Sequence, residues 1–294
     1  MFGECHAHIF MDGVDYKKAV QMHCRRPDEQ LIRCHLKAYQ DNGISFVRDG
    51  GDHYGAGVLA RSIAEEYGIT YCTPVFAIHK KGHYGRIVGE EFETRKEYTE
   101  LVHRIAKEKG DFIKIMTTGI LDFNDHGKVT GNALKREEVF WMIEIAHEEG
   151  FHVMVHVNGA QAVIDAAEAG ADSIEHGNYQ NEESLCCIAE QKTVWVPTVV
   201  TVTNLVGCGR YDESVISGIM ENQERNLRLG YQKGVVLALG SDAGAYRVLH
   251  GKGIIDEYAQ FRRILGNDPN LDERLAAGEE RIRNLFRKSL ENQA

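Results

Sequence analysis

Positive charge is scarce in this chain: 34 lysines and arginines stand against 44 aspartates and glutamates, a formal net charge of -10 over 294 residues. That balance argues against the clustered Lys/Arg footprint of a nucleic-acid binder. It argues equally against a polybasic membrane anchor. No stretch approaches the ~18 apolar residues of a membrane-spanning helix, and no basic segment leading into an apolar run opens the chain. The seven cysteines (Cys5, Cys24, Cys34, Cys72, Cys186, Cys187 and Cys208) include no C-x-x-C pair and are odd in number. They read as free thiols of a reducing compartment. Internal repeats, low-complexity tracts and linkers are also missing. The expectation is one soluble, cytoplasmic domain over residues 1–294 that acts on a small molecule, with no nucleic-acid or membrane partner.

What is present is an alternation. Short β-branched runs at Gly3–Phe10, Ile44–Asp49, Thr70–Phe76, Phe112–Met116, His152–Val157, Ser173–His176, Val194–Thr198 and Val235–Gly240 read as strands. Helical patterns lie between them: 31–40, 59–67, 97–109, 136–149, 160–169, 184–191 and 214–232. Gly43, Gly68, Gly110, Gly150, Gly170 and Gly234 close several of these as left-handed caps. Eight strands separated by helices predict an all-parallel sheet closed as a (β/α)8 barrel. An open doubly wound sheet fits less well, because no Gly-rich phosphate turn follows the first strand. Two long loops, 78–92 and 199–213, are candidate lids at the catalytic end. The tail 271–290 reads as an amphipathic helix packed on the outside of the barrel.

Fourteen histidines are the other conspicuous presence, several of them at strand ends. His6 and His8 are two apart in the first strand, so both aim to one face and can grip one metal. Lys114 lies inside the apolar run Phe112-Ile113-Lys114-Ile115-Met116. It is either paired with a carboxylate or snorkelling, or it is an amine whose pKa burial has lowered. A neutral amine can take up carbon dioxide as a carbamate, an anion able to bridge two cations. His156 and His176 end the fifth and sixth strands, while His152 sits at the far end of its strand. Asp242 follows the eighth strand, where it can cap a helix, bind metal or accept a proton. Ends 1, 4, 5, 6 and 8 thus bring metal-competent groups to one rim of the barrel, where this fold collects its catalytic groups.

The stretches His6-Ala7-His8, FIKIM with Lys114, HVMVHVNG with His156, ADSIEHG with His176 and LGSDAG with Asp242 resemble the amidohydrolase superfamily, in its imidazolonepropionase-like and prolidase-like branch. The resemblance runs over nearly the whole chain. It implies two divalent metals bridged by carbamylated Lys114, one held by His6, His8 and Asp242, the other by His156 and His176. Zinc suits this donor set, with manganese, cobalt and iron as competitors. The chain departs from the family in offering no segments for the usual accessory β-sandwich, which raises homo-oligomerisation as an expectation.

A bridging hydroxide attacking an amide carbonyl, with Asp242 moving its proton to the leaving group, is the implied chemistry. Candidate substrates are a dipeptide, an N-acyl amino acid or a cyclic amide. Lactone or phosphotriester hydrolysis could use the same metals. A metal-free lyase with Lys114 as Schiff-base amine and a non-catalytic metal-binding protein are the alternatives from other classes. His79 and Arg86, in a cationic loop that reads first as solvated, and Tyr54, Tyr179 and His250, which follow strand ends, are the candidates for substrate contact.

Overall fold

A computed structural model describes residues 1–287. Its strands are β1 (Glu4–Ala7), β2 (Phe46–Asp49), β3 (Thr70–Cys72), β4 (Ala77–Lys80), β5 (Gly89–Phe92), β6 (Ile113–Met116), β7 (Val153–Val157), β8 (Ser173–His176), β9 (Val194–Val196) and β10 (Val236–Leu237). The helices are α1 (Tyr16–His23), α2 (Glu29–Asp41), α3 (Ala56–Ile63), α4 (Arg95–Lys107), α5 (Arg136–Glu148), α6 (Ala160–Glu168), α7 (Glu182–Glu190), α8 (Val200–Thr203), α9 (Glu213–Gln232), α10 (Lys252–Leu265) and α11 (Leu271–Phe286). Every named strand pair is parallel.

Two sheet segments, β1-β2-β3 and β10-β9-β8-β7-β6-β4-β5, join into the predicted (β/α)8 barrel. The last stave returns to the first: Cys5 N donates to Leu239 O at 3.0 Å and Asp242 N to His6 O at 2.8 Å. The third stave carries the chain from one segment to the other. β3 pairs with β2, and β4, a few residues on, pairs with β6 through Ala77 opposite Lys114. Pro74, which has no N–H, and Val75, at φ 70°, interrupt it between the two.

The stretch 78–92 is therefore not the open loop expected from its His, Lys and Gly content. Its two ends are β4 and β5, paired in register from Ala77 opposite Gly89 to Lys80 opposite Phe92. Five of the six expected glycine caps adopt positive φ. At the sixth, Lys109 takes the left-handed conformation and Gly110 follows it.

The tail helix is also placed differently from its expectation. α11 does not flank the barrel wall but closes its N-terminal mouth, and residues 288–290 lie outside the described part. Ile282 and Phe286 complete a buried cluster with Cys5, Phe46, Phe112 and Met154, which sit at or near the starts of their strands. The Phe112 and Phe286 rings meet edge to face at 5.2 Å, a favoured geometry for aromatic pairs. With the bottom plugged and the helices wrapped outside, the open end of the barrel is the C-terminal one. No helix among the described residues is long and apolar enough to cross a membrane.

Candidate metal centre

At that open end a cavity of about 740 Å³ reaches down to His6, His8, Lys114, His156, His176 and Asp242. The structure brings together all six residues singled out as metal ligands. Ligand atoms of His6, His8 and Asp242 lie within 4.8 Å of one another. Asp242 Oδ1 is 3.5 Å from His8 Nε2 and 3.7 Å from His6 Nε2. The His156 and His176 rings pack at 4.7 Å, and His176 is 5.0 Å from His6.

Local backbone shape puts these groups where they are. His176 and Asp242 both hold positive φ, at 65° and 60°, a conformation that costs a non-glycine residue energy and persists only where its surroundings enforce it. Asp242 is not a helix cap, since α10 begins only at Lys252. Gly50 is required for a different reason: a Cβ there would stand 2.3 Å from His8 Cε1. Its missing side chain is the space the His8 ring occupies.

The electrostatics favour a cation. Burial, and then mostly the neighbouring Lys114 charge, pushes His8 and His156 down to about 3. Burial drives His6 and His176 well below the imidazole range as well. These rings stay neutral near pH 7, with lone pairs available to a metal. Burial lowers Lys114 to about 8 and raises Asp242 to about 7, the latter partly held back by the Lys114 charge.

Four buried polar atoms in this cluster have no hydrogen-bond partner in the protein: His6 Nε2, His8 Nδ1, Lys114 Nζ and Asp242 Oδ1. Unpaired buried polar atoms are costly and rare. So many in one place fit a set of groups awaiting divalent cations.

Residues 3–283 match the Amidohydrolase family. The chain belongs to that family.

An uncharacterised protein of Mycobacterium tuberculosis is 30% identical over 128 residues, 42% of this chain and 34% of the relative. Ochratoxinase of Aspergillus niger is 23% identical over 278 residues, covering 81% of this chain and 56% of that enzyme. The chain thus spans between 34% and 56% of the length of these curated relatives. Among solved structures, a Xaa-Pro dipeptidase with methionine in its active site superposes with a TM-score of 0.75 at 21% identity, over 97% of this chain and 76% of that one. The likeness to that solved structure is one of fold, along nearly the whole of this chain.

Around these six side chains lies a layer of buried charges that sequence patterning did not single out. His6 Nδ1 donates to Glu175 Oε2 at 2.8 Å, which leaves the Nε2 lone pair facing the cavity. Glu175 Oε1 accepts from Arg48 at 2.8 Å and from Ser173 Oγ at 2.6 Å. Arg48 and Glu175 are fully buried. His156 Nε2 lies 3.0 Å from Gly119 O; a carbonyl can only accept, so Nδ1 is the free nitrogen of that ring. The place of Glu175 within a strand buried along its whole length was the signal available: a carboxylate enclosed there must meet a donor.

Two more carboxylates shape the rim. Glu4 accepts from Ser241 N at 2.7 Å and Ser241 Oγ at 2.5 Å, which fixes the approach to Asp242. Glu257 of α10 accepts from Val199 N at 3.0 Å and Val200 N at 2.9 Å, anchoring the start of the 199–213 segment. Burial raises both carboxyls to about 8. Thr201, Leu205, Arg210 and Tyr211 of that segment line the cavity, as a lid would.

The five residues expected to touch substrate do not line it. His250 is locked between Tyr39 Oη at 2.9 Å and Met11 O at 2.7 Å and stacks on His35. Tyr54 packs against Phe10 and His53. Tyr179 Oη accepts from Gly127 N, and the His79 ring is held by Lys80 O. Arg86 is exposed. Their neighbours Tyr84, Ile87 and Tyr246 form the wall instead.

Proposed function

We propose that this chain is a two-metal hydrolase that cleaves an amide C–N bond. The observation that carries the reading is the convergence of unpartnered His6, His8, Lys114 and Asp242 atoms at the floor of one cavity. His6, His8 and Asp242 would hold one cation and His156 and His176 the other, with Lys114 between them as its carbamate. Two such cations, zinc by the chemistry of the donors, would polarise the scissile carbonyl and acidify water.

The chain's own residues do the rest. A neutral Lys114 amine attacks carbon dioxide, a C–N bond forms, and one proton leaves to solvent. Burial brings Lys114 close enough to neutral pH for the free amine to be available. Asp242, at the cavity floor beside His6 and His8, is placed to take a proton from the attacking water and return it to the leaving nitrogen. Glu175 and Gly119 O hold the His6 and His156 rings in the tautomers that face the cavity.

Two tests apply. Metal analysis should find two divalent ions per chain, and the loaded protein should cleave members of a panel of N-acyl amino acids, dipeptides and cyclic amides. Failure on every amide with both metals bound overturns the reading. Lys114→Ala should bind at most one metal tightly and lose orders of magnitude in kcat. Full occupancy and rate in that variant would remove Lys114 from its bridging role.

A further inference from the structure

The cavity wall above the histidines is mostly apolar, with Met11, Tyr84, Ile87, Met116, Leu121 and Phe123 in it. Val14, Tyr16 and Ile120, at 65%, 46% and 37% exposure, belong to the same lining and are open to solvent. Apart from Lys114 and Asp242, the charged side chains in the lining are Asp15, Lys17 and Arg210. Asp15 is occupied: its Oδ1 caps α1 by accepting from Lys17 N and Lys18 N. Lys17 is an exposed residue of the first turn of α1.

Arg210 is held differently. Its guanidinium carbon lies 5.3 Å from the Tyr211 ring centroid and 5.0 Å from that of Tyr246. Like Lys17 it is exposed, but the two rings lie within cation–π reach of the guanidinium and leave its edge donors free. Among the described residues no carboxylate forms an ion pair with it; the same holds of Arg25, Arg26, Arg86 and Arg247, but Arg210 is the arginine that lines the cavity. Both of its supports belong to the catalytic rim. Tyr246 stands on the turn that opens at Asp242, closed by Ala245 N donating to Asp242 O at 3.0 Å. Tyr211 stands on the segment whose start Glu257 anchors.

We infer that Arg210 is the carboxylate receptor of this cavity and that the substrate is an N-acylated amino acid with large apolar substituents. The inference rests on the amide-hydrolase reading above and narrows it. A planar, unpaired guanidinium matches a carboxylate with two parallel hydrogen bonds. The apolar wall takes the acyl group and side chain. The one largely buried acid in the lining, Asp242, belongs to the metal centre, and Asp15 is a solvent-exposed cap of α1, so no enclosed carboxylate is left to hold a free amino group and a blocked nitrogen is preferred over a free dipeptide.

Equilibrium binding to the metal-loaded full chain tests this without turnover. The probes are N-methanesulfonyl-phenylalanine, whose sulfonamide does not hydrolyse, its carboxamide, and its analogue bearing a 2-aminoethanesulfonyl group. In the unaltered protein the acid should bind about tenfold or more tighter than the carboxamide. Arg210→Gln should bring that ratio to near one by weakening the acid, and Arg210→Lys should keep part of it. The free-amine analogue should bind more weakly than the blocked acid. If the acid keeps its advantage in Arg210→Gln, or has none in the unaltered protein, Arg210 is not the receptor. Equal or tighter binding of the free amine overturns the N-acylated assignment. Because no cleavage is measured, a preparation that binds as expected yet hydrolyses no amide overturns the proposed function and not this assignment.

Discussion

Glu175 carries two obligations at one carboxylate: one oxygen orients His6 and the other neutralises Arg48 in the barrel interior. Removing half of a buried ion pair is far more damaging than never having had it, because the remaining charge stays desolvated. Glu175→Gln keeps an acceptor for one neighbour but offers Arg48 no countercharge. The variant should lose roughly 3–5 kcal/mol of stability in denaturant titration. Its metal affinity, read by competition with a chelating dye, should fall about 10–100-fold. Gly50→Ala tests the same centre without touching a charge. The added methyl must displace the His8 ring, so the metal proposed for His6, His8 and Asp242 should bind more weakly while the one proposed for His156 and His176 is kept. Unchanged occupancy of both sites would mean that the ring has room to move.

At the scale of elements, the two ends of the barrel make separable contributions. Phe286 on α11 is fully buried, stacked edge-on against Phe112 and lying under the Arg48 guanidinium at 4.4 Å. Phe286→Ala should cost about 3–5 kcal/mol in unfolding free energy. Since the lost ring sits at the closed mouth, the folded fraction should keep its metal content and kcat/KM; a large fall in kcat/KM would mean that the bottom of the barrel tunes the top. Sequence patterning found all eight staves because each is a short buried run between amphipathic helices. The six metal-competent residues were legible because strand parity and strand ends place them without knowledge of packing. Less visible was whatever depends on distant partners. β4 is drawn from an apparent loop by pairing with β6, thirty-odd positions away. α10 escaped notice because its inward face, Ile254, Glu257, Phe261 and Ile264, contains a carboxylate, which patterning assigns to solvent. Arg48 and Glu175 were hidden for the same reason: each is inside only because the other is.

Across the whole molecule, many ionisable groups are buried in their neutral forms, which ties stability to pH with opposite signs on two sides of neutrality. Burial lowers His35 to about 4, and His250 well below its ordinary 6.5. The unfolded chain therefore binds protons that the folded one refuses, and stability is lost as pH falls from 6.5 through 4. The neutral histidines of the cavity floor act in the same direction. Asp49 is raised to about 7 and Glu257 to about 8, again by burial. Here the folded state holds the proton, so stability is full below the ordinary carboxylate range and drains away as pH rises to 7 and 8. The lowered imidazoles outnumber the raised carboxyls, so the metal-free protein should be most resistant to denaturant near pH 6.5 and weaken from there to pH 8. Glu257→Gln separates one contributor, because an amide imitates the protonated acid and cannot ionise. Its denaturation midpoint should fall less between pH 6.5 and 8 than that of the unaltered chain. An identical slope would show that Glu257 titrates normally and that the anchor of the 199–213 segment is a carboxylate charged at neutral pH.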